Sequence, residues 1–230
     1  MAIGIIGAMD EEIELLKSEM KVREVHHAAG SIFIEGELKD HSVVLLKSGI
    51  GKVNAAIAAT ILHERFDVEE VINTGSAGGF ATDLEVGDVV ISTTVVYHDV
   101  DVTAFDYDYG QVPGLPAVFT ADEEMVNRAF QAVENTNAKA QKGIIATGDS
   151  FMQEETHVET VRGRFPDMIA AEMEAAAIAQ VCHKYEKPFV IIRALSDIAG
   201  KESSISFDQF LPKAAENAAA IIMAMLEKKD

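Results

Sequence analysis

Runs rich in β-branched residues recur along this chain, and helical patterns lie between several of them. The runs are AIGII (2–6), SIFIEG (31–36), SVVLLKS (42–48), EVINTG (70–75), GDVVIS (87–92), GIIATG (143–148) and PFVIIRALS (188–196). The helical patterns are DEEIELLKSEM, GKVNAAIAATILHERF, ADEEMVNRAFQAVEN, EETHVETVRG and EMEAAAIAQVCHKY. Strands alternating with helices predict an α/β fold with a mainly parallel sheet covered on both faces. The near-continuous apolar stretches 43–46 and 189–192 fit strands buried on both sides. A last helix is expected after Ser206-Phe-Asp-Gln209, a capping-box pattern, with a kink or restart at Pro212 and a basic end at Lys228-Lys229.

A length of 230 residues with no linker, repeat or low-complexity stretch predicts one domain over 1–230. The formal charge of -19, with basic residues scattered, argues against a nucleic-acid or membrane-surface partner. The longest apolar run, 218–226, is about half a membrane span. The single cysteine, Cys182, allows neither a disulfide framework nor a Cys-based zinc site. The opening MAIGIIGAM has neither a basic n-region nor a long apolar h-region. A soluble cytoplasmic protein is expected.

Several short stretches bear on chemistry. In GIIGAMDEEIELL (4–16) a strand passes a glycine and enters a helix through Asp10, Glu11 and Glu12. A glycine turn of that kind ordinarily greets an anion, which three carboxylates would repel. They also serve as ordinary dipole complements in a first helical turn. SGIGKVNAA (48–56) has Asn54 at the third fingerprint position and Leu46 and Val53 at positions a phosphate loop reserves, so neither nucleotide motif is met. NTGSAGG (73–79) reads either as a tight turn or as a small-residue platform against a planar ligand. The carboxylates of YHDVDVTAFDYDYG (97–110) miss the calcium-loop spacing, and the long segment 96–119 suits a functional loop. Glu172 and Glu174 share a face only if their segment is extended. Arg193 sits in an otherwise apolar strand and calls for a carboxylate partner. Asp197 is expected just past that strand's C-terminal end, where open α/β sheets hold ligands.

Taken in order, GIIGAMDEE, LLKSGIGKVNAA, VINTGSAGG, ATGDSF, AAEMEAAAIA and VIIRALSD resemble the motifs of the 5'-methylthioadenosine/S-adenosylhomocysteine nucleosidases of the purine nucleoside phosphorylase superfamily. The resemblance covers residues 1 to about 227. It implies a three-layer α/β/α fold around a mixed, partly barrel-like sheet, a homodimer, and no metal or cofactor. The implied reaction is hydrolysis of the N-glycosidic bond of methylthioadenosine, S-adenosylhomocysteine and also 5'-deoxyadenosine.

On this resemblance Glu12 activates water with help from Arg193, Asp197 holds or delivers a proton at adenine N7, and Glu174 grips the ribose hydroxyls. Met173 packs on the sugar, and Ser76, Ala77, Gly78, Phe151, Met152 and Ser196 surround adenine and sugar. Met9, Ile50 and Phe207 line the alkylthio pocket, while Val102, Phe105 and Pro113 reach in from the partner subunit. Asp10 stands where the family carries glutamate. Breaking the C–N bond builds oxocarbenium charge that a carboxylate stabilises, and an acidic turn opposes a phosphate dianion. A phosphorylase of the same superfamily needs a basic cradle, for which the N-terminal half offers only Arg23 and Arg65 outside any motif. A catalytically silent nucleoside-binding module is the alternative from another class.

Overall fold

The apolar runs assemble into one mixed sheet in a computed structural model that describes residues 1–133, 136, 138–201 and 203–227, without the side chains of 203–206. The elements are β1 (Ala2–Gly7), α1 (Asp10–Glu19), β2 (Lys21–Ala28), β3 (Ser31–Leu38), β4 (His41–Lys47), α2 (Lys52–Arg65), β5 (Val68–Gly79) and β6 (Val89–Tyr97). There follow β7 (Phe119–Thr120), α3 (Glu123–Val133), β8 (Ala140–Thr147), α4 (Glu155–Arg164), β9 (Met168–Glu172), α5 (Ala175–Lys184), β10 (Phe189–Ile198) and α6 (Ser203–Leu226).

The strand order is β10-β6-β8-β9-β5-β1-β4-β3-β2, and β10 also pairs with β5. Strands β10, β6, β8, β9 and β5 therefore close a small mixed barrel, while β1, β4, β3 and β2 continue from β5 as an open wing. The pairs β5–β10, β1–β5, β1–β4, β6–β8 and β8–β9 are parallel; β6–β10 and β5–β9 are antiparallel. Helix α6 packs along β10 and β5 and meets α1 and α3, whereas α2 packs on α5. This is the expected three-layer arrangement. Val43 to Leu46 of β4 and all of β10 except Ile198 are buried, which is why these strands read as continuous apolar runs.

Several expectations need correction. Strand β2 is largely exposed and carries no apolar face, so it gave no strand signal; β3 pairs with it along one edge. Strands β7 and β9 span two and five residues, too short for periodicity to register. The NTGSAGG stretch is not a turn. It is the end of β5, paired with β10 from Asn73 opposite Ile191 to Gly79 opposite Ile198. Asp197 lies inside β10, after a register slip between Leu195 and Asp197, not past its end. Helix α6 begins at Ser203, ahead of the expected capping box, and runs through Pro212 without a restart. Lys228-Lys229 lies outside the described residues.

Candidate active site

The barrel strands and the turns after β1 and β4 enclose a cavity of about 350 Å³ lined by Ala8, Met9, Glu12, Ile50, Ser76, Ala77, Gly78, Ser150, Phe151, Met152, Ala171, Glu172, Met173, Glu174, Arg193, Ser196, Asp197, Phe207 and Asp208. Its size falls within the usual range for small-molecule sites. The four expected catalytic residues and ten of the expected substrate-binding residues meet here. Val102, Phe105 and Pro113 do not line it within this chain, and the Phe105 side chain stands 75% exposed.

The acidic turn splits in two. Asp10 points outward to Lys47 Nζ at 2.9 Å and Glu11 is exposed. Glu12 turns inward and is buried. Its Oε2 accepts the Ala8 and Met9 N–H groups at 2.8 and 3.3 Å, and its Oε1 accepts the Ser76 N–H and hydroxyl at 3.0 and 3.2 Å. Helix α1 thus contributes one carboxylate to the cavity floor, fixed by backbone donors from two strand ends.

Arg193 is the hub of a buried ionic cluster. Its Nη2 donates to Glu172, to Asn73 Oδ1 at 2.9 Å and to Glu174 Oε2 at 3.3 Å; Nη1 donates to the Ser76 carbonyl at 3.3 Å and lies 3.9 Å from Glu12 Oε1. Burial disfavours the guanidinium charge, but the Glu172, Glu174 and Glu12 carboxylates outweigh it and raise the arginine's pKa. The charged strand residue is therefore tolerated because three acids surround it. Glu172 also accepts the Glu174 and Ala175 N–H groups at 2.9 and 2.8 Å, capping α5, and takes the Thr147 hydroxyl. Since Glu172 ends β9 and Glu174 precedes α5, the segment between them is not helical and both acids reach Arg193.

Burial pushes the Glu174 carboxyl up to about 7, against the lowering effects of Arg193 and the Gly51 N–H, which Glu174 Oε1 accepts at 2.8 Å. Asp197 is buried in the same lining, with the Ser196 hydroxyl donating to it at 2.9 Å. A Cβ on Gly78 would come within 3.2 Å of this carboxylate, so the glycine lets the β5 backbone approach it. Phe151 and Phe207 meet edge to face with centroids 5.8 Å apart near half-exposed Ile50, forming an apolar mouth.

Sequence reasoning missed Glu172, Asn73 and Gly75 as parts of this cluster. Glu172 had the signal of an acid ahead of a helix, but no spacing distinguished it from a dipole complement. Gly75 stands opposite Arg193 in the β5–β10 pairing with φ +148°, and a Cβ there would lie 2.3 Å from Arg193 Nη1 and 2.5 Å from Glu12 Oε1. Two carboxylates of the 97–110 stretch have partners within the chain: Asp99 pairs with Lys52 and Asp101 accepts from Thr103. Arg23 and Arg65 lie outside the cavity lining.

A family model described as the phosphorylase superfamily matches residues 2–227. A curated 5'-methylthioadenosine/S-adenosylhomocysteine nucleosidase from Oceanobacillus iheyensis is 62% identical over 228 residues, covering 99% of this chain and all of the relative. The chain belongs to this nucleosidase family of the phosphorylase superfamily. Among solved structures, the nucleosidase of Colwellia psychrerythraea in complex with adenine is 49% identical with a TM-score of 0.95, covering 98% of this chain and 94% of that one. The Neisseria meningitidis nucleosidase in complex with methylthio-immucillin-A is 47% identical with a TM-score of 0.96, covering 98% of both chains.

Proposed function

We propose that this protein hydrolyses the N-glycosidic bond of 5'-methylthioadenosine and S-adenosylhomocysteine, releasing adenine and the 5-thioribose derivative. The observation that carries the reading is that buried Glu12, beside the Arg193 cluster, and buried Asp197 line the same cavity. Glu12 accepts a proton from water and stabilises oxocarbenium charge at the ribose, with Arg193 holding the carboxylate's direction. Asp197 holds a proton at purine N7, making adenine a neutral leaving group. Glu174 accepts the ribose hydroxyls, Met173 packs on the sugar, and Ser76, Ala77, Gly78, Phe151, Met152 and Ser196 surround the nucleoside. The apolar pocket of Met9, Ile50 and Phe207 takes the alkylthio tail. An apolar mouth of this kind discriminates weakly between tails, so 5'-deoxyadenosine belongs to the same substrate class.

Water is favoured over phosphate because three carboxylates surround a single guanidinium, leaving no net positive charge for a dianion. The whole chain acts as one domain in a homodimer, in which Val102, Phe105 and Pro113 complete the partner's apolar mouth. The exposed Phe105 supports this assembly. No helix of the described residues is long and apolar enough to cross a membrane, and buried Cys182 is free, which suits a cytoplasmic location.

The test is adenine release from 5'-methylthioadenosine in phosphate-free buffer and again with added phosphate. Equal release in both establishes hydrolysis; release only with phosphate means a phosphorylase, and binding without release means a silent binding module.

A further inference from the structure

Two successive amides at the start of α2 are held by carboxylates from distant parts of the chain. The Gly51 N–H donates to Glu174 Oε1 and the Lys52 N–H to Asp149 Oδ1, each at 2.8 Å. Helix α2 has glycine at its N-cap and no side-chain cap of its own, and Asp149 supplies from the segment after β8 an acceptor for the first of the amides that a helix start leaves without an intrahelical partner. Asp149 is fixed in turn. Its N–H donates to Asp99 Oδ2 at 3.0 Å, and the same oxygen takes Lys52 Nζ at 2.6 Å. Gly51 has φ +95°, and a Cβ there would lie 3.1 Å from Asp149 Oδ1, so glycine permits this close approach. Neither Asp149, Asp99 nor Lys52 lines the cavity.

We propose that Asp149, held by Asp99 and Lys52, is a positioning residue for substrate binding: by capping α2 it aims the Gly51 N–H at Glu174 and so orients that carboxylate toward the ribose hydroxyls. The inference rests on the reading of Glu174 as the hydroxyl acceptor. Glu174 is faced by Arg193 from β10, Glu172 from β9, Glu12 from α1 and the Gly51 amide. Arg193 and the amide favour its ionised form, whereas burial and the two acids oppose it. Withdrawing the amide therefore shifts Glu174 ionisation to higher pH, which a purely structural role for Asp149 does not do.

The experiment measures KM and kcat for 5'-methylthioadenosine across neutral pH in Asp149→Ala, Asp149→Asn, Asp99→Ala and Glu174→Gln. Asp149→Ala is expected to raise KM about tenfold at neutral pH with kcat changed less than about threefold, the loss of one hydrogen bond to a charged group. The pH at which KM falls to its alkaline limit moves upward. Asp149→Asn keeps an oxygen acceptor for the Lys52 N–H and returns KM to within about threefold of wild type. Asp99→Ala, which removes the acceptor of the Asp149 N–H and the partner of Lys52, shifts the KM profile in the same direction and serves if Asp149→Ala does not fold. An unchanged KM profile in a folded Asp149→Ala or Asp99→Ala enzyme overturns the proposal. Glu174→Gln separates the two readings: if it leaves KM unchanged, the role of Glu174 itself falls.

Discussion

Replacing Gly75 with alanine is the sharpest perturbation of the ionic cluster, because the new methyl enters between its two halves. Gly75 and Arg193 are register partners in the β5–β10 pair, and the added Cβ would lie 2.3 Å from Arg193 Nη1 and 2.5 Å from Glu12 Oε1. Ordinary contact begins at 3.4 Å, so each group has to retreat. The displacement needed is about 1 Å, and it breaks the hydrogen bonds that aim Glu12 at the Ala8 and Ser76 amides and Arg193 at Asn73 and Glu172. Misplacement of that size costs about a hundredfold in rate, and overpacking costs about 1–3 kcal/mol of stability. We expect Gly75→Ala to lose about 100-fold or more in kcat/KM for adenine release while unfolding in urea with an unchanged m-value and a lower midpoint. Gly163→Ala is the matched control. It lies in α4 with nothing within 4 Å of the added methyl, so activity stays at wild type and stability rises by about 0.4–1 kcal/mol. A folded Gly75→Ala enzyme within about tenfold of wild type would refute the view that this glycine keeps Glu12 and Arg193 in register.

Further outcomes follow from the same geometry. Glu12→Gln and Asp197→Asn should each lower kcat by about 100-fold or more, and retention within about tenfold in either removes that residue from the chemistry. Burial raises the folded-state pKa of Glu174 from 4.5 to about 7, so its contribution to stability is fully present below pH 4.5 and is lost as pH rises through about 7. Urea titrations at pH 5.5 and pH 8 should therefore show wild type losing stability relative to Glu174→Gln at the higher pH, and a flat difference would contradict the shift. Burial also pushes the Cys182 thiol up to about 12. The native protein should resist thiol reagents at neutral pH and label only on unfolding; stoichiometric labelling of native protein would show that the thiol is reached without unfolding.

Legibility differed by region for physical reasons. The strands β4 and β10 were visible because strands buried on both faces are continuous apolar runs, and α2 and α5 because they are rich in alanine, the strongest helix former. Strand β2 was invisible since an exposed edge strand has no apolar face to repeat. The small-residue stretch at 73–79 is compatible with a turn or a ligand platform because small residues serve equally in a turn and in a strand that must let side chains crowd against it, and only the β5–β10 pairing decides between them. Glu12, Glu174, Arg193 and Asp197 were found through ordered motifs, whereas the composition of each segment alone left Glu12 as a dipole complement.

What the sequence determined by itself was the list of elements that cannot face water and the charged residues that must find partners: an arginine inside an apolar strand demands acids somewhere. Only the tertiary structure decided which acids. Closure of β5 on β10 puts Gly75 against Arg193 and turns the end of β9 toward both, so Glu172, Glu174 and Glu12 from separate parts of the chain converge on one guanidinium. Local periodicity fixes which face of an element is apolar, but the meeting of residues far apart in the chain depends on strand order and register, which no single segment encodes.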